Sequence, residues 1–223
     1  MIEAVTFDLD GTLIDSTDAI VESFMHTCDK FGDPRPPRDA VVNSIGFTLE
    51  QQFAQLSQRD PDDCARVYRA HYEKIACDMT TLLPGGREAL ALLQREGFRL
   101  GFATSKLRKY AEMILDHLGV LDYFEVRIGP EDVVNPKPHP EAVLKALAHF
   151  NLPPEKMLFI GDMHFDALAA RAANVRCLCV ATGYATRAEL EALEPEAVFD
   201  SLDPLIRYIL ENRASVGTPA RVS

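Results

Sequence analysis

From Leu83 onward the chain alternates short runs rich in β-branched and aromatic residues with amphipathic stretches, and this alternation limits the fold more than any other feature. The turn Leu83-Pro84-Gly85 opens a predicted helix from Arg87 to Arg95 that Gly97 closes, and Phe98-Arg99-Leu100-Gly101-Phe102-Ala103 then reads as a strand. Predicted helices near Leu107–Leu118, Pro140–Phe150 and Phe165–Ala173 lead to strands at Tyr123–Ile128, Lys156–Ile160 and Arg176–Ala181. A short strand at Ala197–Phe199 and a helix at Pro204–Asn212 complete the series. Strands joined by helices pair in parallel with helices on both faces, so the expected class is α/β. In such sheets ligands bind beyond the carboxyl ends of the strands, and polar residues in those turns are read first for function.

The first of these turns lies near the N-terminus, where Val5-Thr6-Phe7 forms a strand pattern that stops at Asp8-Leu9-Asp10-Gly11. Between it and Thr81 no convincing strand occurs. After Asp15-Ser16-Thr17, which can cap a helix, apolar residues recur with helical period at Ile20, Val21, Phe24, Met25 and Cys28. The Pro-rich loop from Gly32 to Pro37 follows, then helical patterns at Asp39–Asn43, Leu49–Leu56 and Pro61–Cys77. The expected organisation is a core of residues 1–16 and 82–213, an all-helical cap inserted at 17–81, and a small, polar tail at 214–223.

Bulk properties narrow the function classes. With 223 residues the chain can bury one sizeable core beside a small inserted module. A net charge of −11 sets its field against nucleic acid and anionic membranes, so an anionic ligand must be drawn in by local charge. No apolar run approaches membrane-spanning length, and the N-terminus carries no basic leader, which makes a cytoplasmic location the expectation. The five cysteines (Cys28, Cys64, Cys77, Cys177, Cys179) include no Cys-x-x-Cys pair and read as small reduced hydrophobes.

Chemistry gathers at four predicted strand ends: Asp8 and Asp10; Thr104 and Ser105; Lys137 within Asn135-Pro136-Lys137-Pro138; and Asp162 and Asp166 within Gly161-Asp162-Met163-His164-Phe165-Asp166. An Asp-x-Asp-Gly turn by itself is commonly a turn whose carboxylates satisfy backbone N–H groups. Several carboxylates at one sheet edge are different: they cannot all stay ionised in a partly buried cleft without a cation, and an oxygen-only donor set selects Mg²⁺. Asp8 and Asp162 suit direct ligation with Asp166 behind them, and Asp10 is counted in the same metal set. A phosphoryl group would complete the site, met by the Thr104 hydroxyl, the N–H groups of Ser105 and of Leu9 to Gly11, and the Lys137 ammonium.

These motifs, Asp8-Leu9-Asp10-Gly11-Thr12-Leu13, Thr104-Ser105-Lys106, Lys137-Pro138 and Gly161-Asp162-x-x-x-Asp166, resemble the four motifs of the haloacid dehalogenase-like hydrolase superfamily across nearly the whole chain. The helical insert is similar to the cap of its phosphoglycolate phosphatase and β-phosphoglucomutase-like branch. The resemblance implies a Rossmann-like sheet of order 5-4-1-2-3, with Asp8 as nucleophile and Asp10 as general acid and base. An alkoxide leaves poorly unless protonated, and a phospho-aspartate needs an activated water, so the second acid fits a phosphatase. Met163 stands where relatives often carry Ser or Thr, while His139 and His164 match no essential position and are expected at the surface.

Within the cap, Ser44-Ile45-Gly46-Phe47-Thr48-Leu49 resembles the loop that reaches the active site, so Gly46, Phe47 and Thr48 are the candidate leaving-group contacts, with Arg69 and His71 after them. The expected activity is Mg²⁺-dependent hydrolysis of a small phosphorylated metabolite such as phosphoglycolate, by a monomer or homodimer. The alternatives are a β-phosphoglucomutase-like phosphomutase, a pyrophosphatase or a nucleotidase. A phospho-receiver domain is the non-enzymatic alternative; such domains are shorter and have no counterpart of Asp10.

Overall fold

The structure is a computed structural model that describes residues 1–213, and the expected tail at 214–223 lies outside the described residues. In chain order the elements are β1 (Ala4–Phe7), β2 (Ile14–Asp15), α1 (Thr17–Phe31), α2 (Arg38–Val42), α3 (Leu49–Leu56), α4 (Pro61–Ile75), β3 (Thr81–Leu82), α5 (Gly86–Arg95) and β4 (Arg99–Ala103). They continue with α6 (Arg108–His117), β5 (Phe124–Ile128), α7 (Glu141–Phe150), β6 (Met157–Gly161), α8 (His164–Ala172), β7 (Arg176–Val180), α9 (Arg187–Glu191), β8 (Ala197–Phe199) and α10 (Leu202–Glu211). Every expected strand and helix is present, with ends displaced by a residue or two.

Six strands form one sheet in the order β5-β4-β1-β6-β7-β8, all parallel. Counted along the chain within this sheet, that is the expected 5-4-1-2-3 order with a sixth strand, β8, added at the edge beside β7. β1 is central, paired with β4 on one side and β6 on the other. This places Asp8 between the ends of the strands that lead to Thr104 and Asp162.

Alternation along each strand sorts side chains to two cores. Val5, Phe7, Leu100, Phe102, Leu158 and Ile160 face α5, α6 and α10, whereas Ala4, Ala103, Met157 and Phe159 face α7 and α8. Thr6 is fully buried on the second face, where its hydroxyl lies 3.2 Å from the Met157 sulfur. Small residues on α8 (Ala167, Ala169, Ala170) let that helix lie close to the sheet.

The insert is helical, as expected: α1 to α4 all lie between β2 and β3. Its closing feature was not expected. β2 and β3 pair antiparallel, Ile14 with Leu82 and Asp15 with Thr81, so the segment's exit and return are joined in a two-stranded ribbon. Within the insert Phe24 stacks on Phe53 with ring centroids 4.2 Å apart, and Phe53 meets Tyr68 edge to face. Among the described residues no helix is long and apolar enough to cross a membrane.

Phe7 is fully buried at the centre of β1, one residue before Asp8. Truncation there leaves a cavity that β4 and β6 cannot close, so Phe7→Ala is expected to cost about 3–5 kcal/mol, measured by urea unfolding.

Candidate active site

Each expected core motif arrives at the carboxyl edge of the sheet because a hydrophobic strand ends there. Asp8 follows β1, Thr104 follows β4, and Asp162 follows β6, with Asp166 on the first turn of α8. Asp8, Asp162 and Asp166 are all buried, and one carboxylate oxygen from each lies within 4.8 Å of the others. Lys137 reaches them from the loop after β5: its Nζ is 2.8 Å from Asp8 Oδ1, 2.6 Å from Asp166 Oδ1 and 3.2 Å from the Ala103 carbonyl. The Lys137–Pro138 peptide is cis.

The remaining bonds show which oxygens are committed. Asp162 accepts from the Thr12 hydroxyl at 2.7 Å and from the Tyr184 N–H at 3.1 Å, and Asp166 Oδ2 accepts the Met163 N–H at 3.1 Å. Asp8 Oδ2 takes no hydrogen bond among the described residues. Thr104 Oγ1 accepts the Lys106 N–H, which leaves its hydroxyl hydrogen free to donate. Three carboxylates face one ammonium, which bonds only Asp8 and Asp166, and that imbalance is the physical test for a metal. Burial pushes the Asp8 carboxyl up to about 7 against the pull of Lys137, with Asp166 adding to the rise. Burial raises Asp162 as well, followed by the charges of Asp166 and Asp8. Burial alone would lower Lys137, but Asp166 and Asp8 outweigh it and hold the ammonium charged. Surplus negative charge on an oxygen-only cluster fits a hard divalent cation.

Three expected roles change. The Asp10 carboxylate stands outside the cluster, because Ser16 Oγ donates to its Oδ1 and Lys106 Nζ lies 3.1 Å from its Oδ2. Ser16, expected as a helix cap, makes no capping bond with its side chain. Gly11 was expected to offer its N–H to phosphate, but that group donates to the Ile14 carbonyl at 2.9 Å. Its necessity is steric: at φ +82°, a Cβ on Gly11 would lie 2.4 Å from Asp162 Oδ2, and one on Gly183 would lie 1.8 Å from the same atom. These two backbones wall in Asp162.

Lys106 is the residue that pattern reading missed. Its ammonium is enclosed between Asp10 and the Tyr72 hydroxyl at 2.7 Å, so residues of core and insert share one charge. Burial opposes that charge, and Asp10 and then Tyr72 restore and raise it. The signal available was its place directly after Thr104-Ser105. The insert loop also reaches the site: Ser105 Oγ donates to the Gly46 carbonyl at 3.0 Å, and Phe47 packs edge to face on Phe165 at 4.8 Å. A tight cavity of about 20 Å³ touches Asp8, Thr104, Ser105, Lys137 and Asp166. Beside it opens a cavity of about 290 Å³ lined by Asp10, Lys106 and the insert's Gly46, Phe47, Thr48 and Arg69. Asp10, Ile45, Gly46 and Ser105 border both. His71 is not on either lining; it stacks on His26 at 3.9 Å, and burial, then His26, lowers its pKa. His139 and His164 are exposed, as expected.

Known proteins resemble this chain in sequence and in fold. The sequence profile of the haloacid dehalogenase-like hydrolase family matches residues 5–180. The pyrophosphatase PpaX of Bacillus cereus is 32% identical over 209 residues, covering 92% of this chain and 95% of that one. A phosphoglycolate phosphatase of Nitrosococcus oceani is also 32% identical, covering 90% of this chain and 93% of its own. Among solved structures, a haloacid dehalogenase-like family hydrolase from Streptococcus pneumoniae superposes with a TM-score of 0.84 at 28% identity, covering 93% of this chain and 98% of that one. CbbY from Rhodobacter sphaeroides, in complex with phosphate, does so at 0.82 and 26%, covering 92% and 96%. The chain belongs to the haloacid dehalogenase-like hydrolases, in the phosphoglycolate phosphatase-like branch with a helical cap.

The raised carboxyls tie stability to pH and metal. A carboxyl whose pKa is higher in the folded chain than its ordinary 3.8 favours the fold while protonated, and that contribution is lost as pH rises toward about 7. Metal-free protein is therefore expected to lose stability over this window, and added Mg²⁺ to raise Tm more at about pH 8 than at about pH 5. Thermal unfolding with EDTA or Mg²⁺ at both values measures it.

Proposed function

We propose that this chain is a Mg²⁺-dependent phosphatase that hydrolyses a small phosphate ester through a phospho-aspartyl intermediate on Asp8. The observation that carries the reading is the state of Asp8: one oxygen is held by Lys137 at 2.8 Å and the other takes no hydrogen bond among the described residues, at the border of a cavity shared with Asp10. A carboxylate fixed in this way presents an oriented nucleophile. Thr104, Ser105 and Lys137 line the same cavity and would meet the non-bridging oxygens of the phosphoryl group.

In the first half-reaction an Asp8 oxygen attacks phosphorus, the bond to the leaving oxygen breaks with its electron pair, and Asp10 supplies the proton to that oxygen. In the second, water attacks the phospho-aspartate, Asp10 takes its proton, and inorganic phosphate leaves with Asp8 restored. A bound Mg²⁺, held by Asp8 and Asp162 with Asp166 behind them, would offset the negative charge of the carboxylates and of the incoming phosphate. Asp10 is suited to its two roles because it lies in the larger cavity, on the side where the leaving group would sit.

The substrate we favour is a compact phosphate monoester of the phosphoglycolate kind, supported by the size of the larger cavity, about 290 Å³, and by the Nitrosococcus relative. Pyrophosphate is the second reading, favoured by the equal identity to the Bacillus pyrophosphatase. Gly46, Phe47 and Thr48 would form the insert's share of the leaving-group wall.

Asp8→Asn is expected to abolish turnover of a phosphate-ester panel, by at least about four orders of magnitude, while circular dichroism and Tm report a folded protein. EDTA should silence the wild type, and excess Mg²⁺ should restore it. Undiminished release of inorganic phosphate in either experiment would sink the mechanism.

A further inference from the structure

Arg69 lies on α4 and faces the larger cavity, and its hydrogen bonding is incomplete. Its Nη2 donates to Glu50 Oε1, from the first turn of α3, whereas its Nε is shut off from solvent and has no hydrogen-bond partner among the described residues. Nε and Nη2 form the edge by which a guanidinium grips a carboxylate or phosphate with two parallel bonds. Glu50 takes only half of that edge, and leaving a buried N–H unpaired is costly. Lys106, the cavity's other cation, is already committed to Asp10 and Tyr72. Arg69 is thus the cation on this wall with bonding capacity to spare, and the Glu50 side chain, 37% exposed, has water to turn to if displaced.

We infer that Arg69 is the residue that selects for negative charge on the leaving group, a carboxylate or a second phosphate, and that Glu50 holds its place in the unliganded protein. This rests on the phosphatase reading above and deepens it. An anion of that kind displaces Glu50 and takes the full edge of the guanidinium, on the wall of the larger cavity, which adjoins the smaller one that Asp8 lines. A neutral alcohol leaving group cannot do so, and the specificity is a difference between the two.

The test compares kcat/KM for phosphoglycolate, pyrophosphate and ethyl phosphate, the last having an uncharged leaving group of similar size. Wild type should favour the anionic pair. Arg69→Met should lower the ratio of either anionic substrate to ethyl phosphate about tenfold or more, chiefly through KM, and Arg69→Lys should recover part of it. The anionic substrate that loses more identifies the charge being read. Glu50→Gln carries the opposite sign: it removes the competitor and should lower KM for the anionic substrates, whereas a merely structural Glu50–Arg69 pair predicts weaker binding in both variants. If ethyl phosphate is cut and the ratio does not move in Arg69→Met, or if Glu50→Gln raises those KM values, the assignment is wrong and the phosphatase reading stands. If wild type cuts none of the three substrates, the phosphatase reading falls and takes this assignment with it.

Discussion

Lys137 Nζ lies 2.8 Å from Asp8 and 2.6 Å from Asp166, with its side chain only 5% exposed, and an ammonium so enclosed stays charged only because both carboxylates hold it. The dependence runs the other way as well. Without that cation the acids at the ends of β1 and β6 would face one another in a low-dielectric edge, and removing one partner of such a buried group typically costs about 3–5 kcal/mol. The sheet order makes the contact possible by setting β1 between β4 and β6. The remaining surplus of negative charge is what a divalent cation and a phosphoryl group are suited to meet, so the charge balance that makes the edge tense is also its means of binding.

A second charge relay lies one layer out, where Lys106 joins Asp10 of the core to Tyr72 of the insert. Ser16, at the point where the chain enters the insert, donates to the same Asp10. Asp10 is thus held directly from the insert's entrance by Ser16, and α4 reaches it only through Lys106. Gly46 lies over the edge from the other direction, bonded through its carbonyl to Ser105 and close against Met163 and Phe165. Met163 supplies an apolar floor for that loop.

How much of this was legible in the sequence depended on whether a local signal existed. The parallel sheet was, because buried strands and amphipathic helices alternate with periods of two and 3.6. Asp8, Thr104, Lys137, Asp162 and Asp166 were, because each follows or adjoins a strand pattern. The β2–β3 ribbon was not, since two residues per strand carry no periodicity, and neither was α9, which spans five residues. Ser16 looked like a cap because Asp-Ser-Thr before a helical run is a capping signal, yet its hydroxyl is drawn to a carboxylate six residues back. Lys106 was the least legible and Arg69 only a late candidate: a long cationic side chain is ordinarily solvated, and only the approach of separate segments encloses the Lys106 ammonium and the Arg69 Nε.

The ribbon of β2 and β3 also constrains how the chain can change. Because Ile14 and Leu82, and Asp15 and Thr81, are hydrogen-bonded neighbours, the two ends of the helical insert stand about 5 Å apart, the spacing of any paired strands. Whatever fold fills the gap between them, the sheet registers no change so long as its ends meet at that spacing. The machinery at the strand ends can thus be inherited whole while the intervening segment is exchanged, lengthened or reshaped. A chain built in this way can trade one cassette without reopening the problem of how to bury three acids at the edge of a sheet.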